Sequence, residues 1–420
     1  MRSSHDLTRR ALLVSSAILG VLGGTRPARA ANEVKIGALY PLTGGSAEVG
    51  QGDRAALEIT AEMINFSHQP FPLLLGNGGG LDRLGGAQIN LIFADHGGDP
   101  ARARSEAKRL IVEEKVVALI GTYHSATAST VSEVAEQHEI PFLSADNSAP
   151  ILHRRGLKWF FRTTPHDEMF TQAMFDLIGA AGTRTKRPAR TVALFYEDSL
   201  FGLGSSAVQR KLAVEAGLTV VADVKYSANS SSLAQEAQTL RDTNADVLLP
   251  SSYTADAILL LRSLDKLGYK PHAVIAQAAG FQEQTFLSAV GPLSEGVLSR
   301  SSFASDALRF RPGILDMNEF YRARAGIDLN DNTARQVVAL QVLADAINRA
   351  GSTRAEDIRA ALIATDVPGD RTIMPWRGVR FDAQGQNVLA TPVVQQVENG
   401  IYHTVFPSDL AIRRLNWNVS

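Results

Sequence analysis

The chain has 420 residues, 45% of them apolar and 20% charged, enough for two or three ordinary domains with a sizeable core. A formal charge of −1 offers neither the basic surface that a nucleic acid needs nor one for an acidic membrane. There is no cysteine, so core burial must supply what disulfides could have supplied, and no cysteine can carry a lipid anchor.

Residues 1–30 read as a secretory signal. Arg2, Arg9 and Arg10 form a basic start, 11–24 is an apolar core shorter than the roughly 20 residues of a membrane span, and Ala28-Arg29-Ala30 is an A-x-A cleavage site. Thr8-Arg9-Arg10-Ala11-Leu12-Leu13 resembles a twin-arginine motif, so export as a folded protein and export by the general route are both open. This segment holds five basic residues and one acid, which leaves 37 Lys+Arg against 42 Asp+Glu, a formal charge of −5, for the rest. No later run reaches the roughly 18 apolar residues of a membrane helix, so a soluble, monomeric periplasmic protein is expected.

After the signal, a strand is predicted over 34–39, a turn at Pro41 to Gly45 and a helix over 53–65. Residues 66–86, rich in Gly, Pro and Leu, read as a surface excursion. A strand over 89–94 leads to Asp99-Pro100, a helix start with Asp as N-cap and Pro at the first helical position. Val116 to Ile120 is a short β-branched run suited to a strand buried on both faces, and Gly121 breaks it. Strands over 141–144 and 159–162 follow. The alternation then starts again: strands at 191–196, 220–226, 247–250 and 273–276, and helices at 203–216, 233–241 and a third ending at 267. Two consecutive strand-helix series argue for two doubly wound parallel sheets, with one long sheet as the alternative. Beyond 299 come helices at 314–325, 333–350 and 355–364, the middle one apolar on most sides and so predicted to be sandwiched. Strands at 379–381, 391–397 and 402–406 close the chain. These late elements must join lobes already begun, so the chain should cross between lobes more than once.

Chemistry concentrates at two turns. Thr122 to Thr127 joins a strand to a helix and places hydroxyls and free backbone N–H groups at a positive helix end, where a small anionic group can be held. Ser125 can be a helix cap or a ligand contact. Ser251-Ser252-Tyr253-Thr254 repeats the arrangement, which suggests two lobes facing one shared ligand. The parts of an enzyme are missing: no G-x-S-x-G, no H-E-x-x-H and no phosphate loop ending in Gly-Lys-Ser/Thr. Asp95, His96 and Asp99 read better as an N-cap with a surface histidine than as a metal cluster. Glu197 and Asp198, adjacent at a strand end, point apart rather than at one bond. No cofactor or metal is expected.

The segments VKIGALYPLTG (34–44), IFADHGGDP (92–100), LIGTYHSATAS (119–129), IPFLSADNSAPIL (140–152), WFFRTTP (159–165) and SLDKLGY (263–269), in this order, resemble the periplasmic solute-binding proteins of ATP-driven importers. The branch typified by leucine/isoleucine/valine-binding proteins is the one they resemble. The resemblance implies a type I fold: two Rossmann-like α/β lobes joined by a three-strand hinge that closes on a small solute. It places a first lobe at 32–162 plus 304–388 and a second at 163–303 plus 389–420, with crossings near Thr163, Ser299 to Phe303 and Asn387 to Thr391. It implies ligand contacts from Ser125, the backbone at Asp146, Ser148, Phe201, Tyr253 or its neighbour Thr254, and Ala279, and delivery to an ABC transporter permease. The segment Gln277-Ala278-Ala279-Gly280-Phe281 lacks the acid that the amino-acid binders set against an ammonium. A carboxylate or amide without an amine is then expected, unless Asp256 or Glu283 swings in; Phe201, Tyr253 and Phe281 leave room for an aromatic or branched body. A sensor reporting to a membrane regulator, and a hydrolase on the same fold, are the alternatives.

Overall fold

The computed structural model describes residues 33–417, and the export signal read at 1–30 lies outside them. The first sheet is built from β1 (Glu33–Tyr40), α1 (Ala47–Asn65), β2 (Gln88–Asp95), α2 (Pro100–Val112), β3 (Ala118–Gly121), α3 (Ser125–Gln137), β4 (Phe142–Ser144) and β5 (Phe160–Arg162). Its five strands, in the order β2-β1-β3-β4-β5, are all parallel. The second sheet begins after α4 (Asp167–Thr185) with β6 (Thr191–Glu197), α5 (Leu200–Glu215), β7 (Thr219–Tyr226), α6 (Ala234–Thr243), β8 (Val247–Ser251), α7 (Thr254–Lys266), β9 (Ala273–Ala276), α8 (Gln284–Val290) and β10 (Leu298–Ser301). The chain returns to the first lobe for α9 (Gly313–Ala325), α10 (Asp331–Ala350), α11 (Ala355–Ile363) and a small hairpin, β11 (Asp366–Pro368) with β12 (Gly378–Arg380). It then re-enters the second sheet as β13 (Val393–Glu398) and β14 (Ile401–Phe406), which are antiparallel. There are thus two separate sheets, and the single long one is excluded.

Apolar residues alternate along the strands of each sheet so that both faces are covered. In the first, Ile36, Ala38, Ile120 and Leu143 face α1, α9 and α10, while Leu39, Leu119, Phe142 and Phe160 face α2 and α3. In the second, Leu194, Leu249 and Ile275 meet Met174, Leu177 and Ile178 of α4, while Phe195, Leu248 and Val274 meet Leu240, Leu260 and Leu264 of α6 and α7. Helix α10 is buried on nearly every side, as its sequence predicts, and starts with a capping box between Asn330 and Thr333. Asp99 caps α2, accepting from the Arg102 N–H at 2.6 Å.

Several readings are corrected. Helix α1 starts at Ala47, not at 53, which turns Asp53 from a first-turn residue into a fully buried one. Residues 66–86 are not a mere surface excursion, because Leu73 and Leu81 are fully buried in the first lobe's core. His96 is no surface residue: it is buried, its Nε2 donates to the Thr122 carbonyl at 3.0 Å and its Nδ1 accepts from the Gly98 N–H at 3.0 Å. Elements α4, α8, β10 and β11 went unread.

The three crossings run side by side. Asn387 donates from its backbone to Arg162 O at 2.9 Å and from its side chain to Thr163 O at 2.9 Å. Thr164 and Ser302 share a hydroxyl hydrogen bond at 3.2 Å. Asp331, the first residue of α10, accepts from the backbone N–H groups of Ser302 at 2.6 Å and Phe303 at 3.1 Å. Truncating the α10 core residue Leu343 to Ala should lower unfolding free energy in urea by about 2–5 kcal/mol, and Asp99→Ala by about 1 kcal/mol; a near-zero loss for Leu343→Ala would mean that α10 is not sandwiched.

Candidate functional site

Strand ends from both sheets meet in one cleft, where open α/β sheets take their ligands. Ser125 opens α3, is buried, and its Oγ accepts from the Ala149 N–H at 3.4 Å. Opposite stands Tyr253, which precedes the first residue of α7, Thr254. The Tyr253 ring stands against the turn that leads into α3. Its ring lies 5.3 Å from that of Tyr123, 5.0 Å from that of His124 and 5.4 Å from that of Phe201 at the start of α5. The two turns singled out in the sequence therefore touch, and the lobes are shut.

Asp146 and Ser148 lie in the loop after β4, both buried. The Asp146 side chain, not only its backbone, takes part: Oδ2 accepts from Gln336 Nε2 of α10 at 2.7 Å, and Oδ1 has no partner. The Ser148 carbonyl accepts from the Asp167 N–H of α4 at 2.8 Å, one of the bonds joining loop to second lobe. Ala279, half-buried, has a φ of +48° beside the close approach of Gly280 to the start of α7, where an added Cβ would lie 2.2 Å from the Thr254 nitrogen. Phe281 is not a cleft residue: it is fully buried against Phe286, ring centroids 4.9 Å apart, in the second lobe's core.

Sequence reasoning missed four of the five ionisable residues buried here and weighed the fifth, Glu197, only as half of a hydrolytic carboxylate pair. Asp53, Asp167, Glu197, Arg300 and Arg335 are all buried, from α1, α4, β6, β10 and α10. None carries a local motif; only the meeting of five elements brings them together. Glu283, one of the two acids considered as stand-ins, is buried, receiving a hydrogen bond from Asn332 and another from Asn330 at 3.3 Å. The other, Asp256, accepts from the Asn229 N–H at 3.1 Å. It lines, with Glu197, Tyr253, His124, Ser46, and Asn229, a cavity of about 230 Å³ between the lobes.

Burial raises the Glu197 carboxyl to about 8, with Asp256 adding to the rise against a hydrogen bond from Ser199. Burial likewise lifts Glu283 to about 7 and Asp146 to about 6, and lowers His124 to about 3 and His96 to about 4, so both imidazoles are neutral. Folded Glu197 keeps its proton up to pH values where an unfolded glutamate, near 4.5, has lost it. Stability must therefore fall as pH rises through that interval. The histidines act below about 6.5, in the opposite direction. Between pH 6.5 and 8, wild-type unfolding free energy should decline more steeply than that of Glu197→Gln in parallel urea titrations; equal slopes would count against a protonated Glu197.

Among the described residues no helix is long and apolar enough to cross a membrane. Residues 33–400 match the family model described as periplasmic binding protein. Two curated relatives from Brucella suis biovar 1 (strain 1330) are similar along their whole length. Leu/Ile/Val-binding protein homolog 8 is 30% identical, covering 97% of this chain and 99% of the relative, and homolog 7 is 29% identical, covering 96% and 98%. Among solved structures, a leucine binding protein from Thermotoga maritima MSB8 superposes with a TM-score of 0.76 at 22% identity, covering 88% of this chain and 97% of that one. A branched-chain amino acid transporter substrate binding protein from Streptococcus pneumoniae, in complex with isoleucine, gives 0.74 at 18%, covering 88% and 98%. A solute binding protein of an ABC transporter from Rhodopseudomonas palustris BisB5, in complex with 3,4-dihydroxybenzoic acid, gives 0.72 at 16%, covering 87% and 93%. With two doubly wound lobes shut on a cleft of strand ends, and a family match spanning nearly all described residues, the chain belongs to the periplasmic binding proteins, of the branched-chain amino acid transporter type.

Proposed function

We propose that this protein is an exported, monomeric solute receptor that captures a small carboxylate, amide or amino-acid-like solute between its lobes and hands it to an ABC transporter permease. One observation carries the reading: the Tyr253 ring of the second lobe lies 5.3 Å from that of Tyr123 and 5.0 Å from that of His124, in the turn where Ser125 opens α3 of the first. A carboxylate held there contacts both lobes only when they close, so its binding energy is available to the closed form alone. Ser125 and Ser148, with the backbone at Asp146, supply the first-lobe donors; Phe201, Tyr253, Thr254 and Ala279 form the opposing wall. Isoleucine and 3,4-dihydroxybenzoic acid, bound by two proteins of this fold, share a carboxyl group and little else.

Small-angle scattering with and without a solute proven to bind should show the radius of gyration contract; an unchanged radius would remove the hinge from the mechanism. Ser125→Ala should weaken binding about tenfold, as expected for one hydrogen bond to a charged group, and cost less than about 1 kcal/mol of stability. Equal losses in binding and stability would reduce Ser125 to a packing role.

A further inference from the structure

The cavity of about 230 Å³ between the lobes is lined by two side chains, one from each lobe, whose polar atoms are only half used. His124 comes from the first lobe. Its Nε2 lies 3.0 Å from the Ser46 hydroxyl, and its ring stands edge-on to those of Tyr253 at 5.0 Å and Tyr123 at 4.9 Å, so its orientation is fixed. Its Nδ1 is buried and has no partner. Glu197 comes from the second lobe. Its Oε1 accepts from the Ser199 hydroxyl, while Oε2, in a fully buried residue, has no partner either.

Small residues keep the space open. Gly45, Gly97 and Gly98 line it from the first lobe, and Ala228 and Ala255 from the second. Gly98 has a φ of +84°, and a Cβ added there would lie 3.5 Å from His124 Cε1. The volume is far above the roughly 10–15 Å³ that admits one water, so part of a solute fits.

Each unpartnered atom can carry or lack a proton. His124 Nδ1 is an N–H donor when Nε2 accepts from Ser46, and an acceptor when Nε2 donates. Glu197 Oε2 donates while the carboxyl is neutral, which burial favours up to about 8, and accepts once it is ionised. A group that only donates, or only accepts, suits one arrangement. A hydroxyl or a primary amide suits all of them. An ammonium would need Glu197 stripped of its proton, and an alkyl group would leave both atoms unpaired. Among the described residues no three acid or imidazole side chains are grouped to hold a metal ion.

Resting on the receptor reading above, we propose that the solute bears, away from its carboxyl end, a hydroxyl or primary amide that bridges His124 Nδ1 of one lobe and Glu197 Oε2 of the other. The bridge forms only when the lobes are shut, so this group adds to closure as well as to affinity. Solutes whose side chain is wholly alkyl, as in leucine, isoleucine and valine, cannot make it.

The test is calorimetry and small-angle scattering on the full mature chain with shape-matched pairs: L-threonine against L-valine, L-glutamine against L-norleucine, and 4-hydroxybenzoate against 4-methylbenzoate. In at least one pair the polar member should contract the radius and bind at least about tenfold more tightly than its apolar match. His124→Phe, which keeps the ring stacking, and Glu197→Met should each remove that preference; should Glu197→Met not fold, His124→Phe gives the same reading. Equal or tighter binding of the apolar members, with contraction, overturns the polar subsite and leaves the receptor intact. Binding without contraction counts against the receptor hinge itself. A preference that survives both substitutions overturns the assignment to these two side chains. Silence from every probe overturns the solute class named here, the hinge being tested separately by any solute that contracts the radius.

Discussion

The buried guanidinium of Arg162 at the end of β5 is the tie on which cleft and hinge both depend. Fully enclosed, it donates to the carbonyls of Asn147 and Ala149 at 3.0 Å each, to Gln386 Oε1 at 2.7 Å and to His153 Nδ1 at 2.6 Å. Two of these bonds fix the loop bearing Asp146 and Ser148, and a third fixes the returning strand beside the first crossing. Its partners are carbonyls and a neutral imidazole rather than carboxylates, and burial pulls its pKa down to about 9, still charged at neutral pH. A charge so placed, with its donors filled, is a rigid joint rather than a switch.

Movement is left to the contacts across the cleft, where hydrogen bonds accompany the Tyr123, His124 and Tyr253 rings. Asn330 and Asn332 of α10 hold Glu283, and Glu48 of α1 accepts from Thr285 of α8. Such bonds exchange readily with water when the lobes part, whereas the hinge bonds are shielded. A preference of a few kcal/mol for one arrangement is enough to set the population.

Much of this architecture was legible in the sequence because strand length, turn chemistry and helix period agree with one another. Strand Ala273–Ala276 and helices α9 to α11 fall within about two residues of where the pattern puts them. Helix α4 was not read because Phe170, Ala173, Met174, Phe175, Leu177 and Ile178 are buried on several faces, which blurs the 3.6-residue period, and Gly179 and Gly182 interrupt its end. Strand β10, Leu-Ser-Arg-Ser, has no strand pattern at all; its pairing with β9 and β13 creates it. At the candidate site, the turns that carry Ser125 and Tyr253 were legible because strand, turn and helix are local. Asp53 and Arg335 were not, because what brings them near each other is the packing of α1 on α10, segments 282 positions apart at these two residues, which no window of sequence contains.

One feature of the scaffold bears on how such proteins diversify. Ser125, Asp146, Ser148, Phe201, Tyr253, Thr254 and Ala279 each sit at a helix start or in a connecting loop, while the interiors of both sheets are filled largely by Ile, Leu, Val and Ala. Chemistry at the rim can therefore be rewritten a few side chains at a time with the framework left standing. A lineage of importers can acquire new cargo by editing these borders, without having to relearn how to fold.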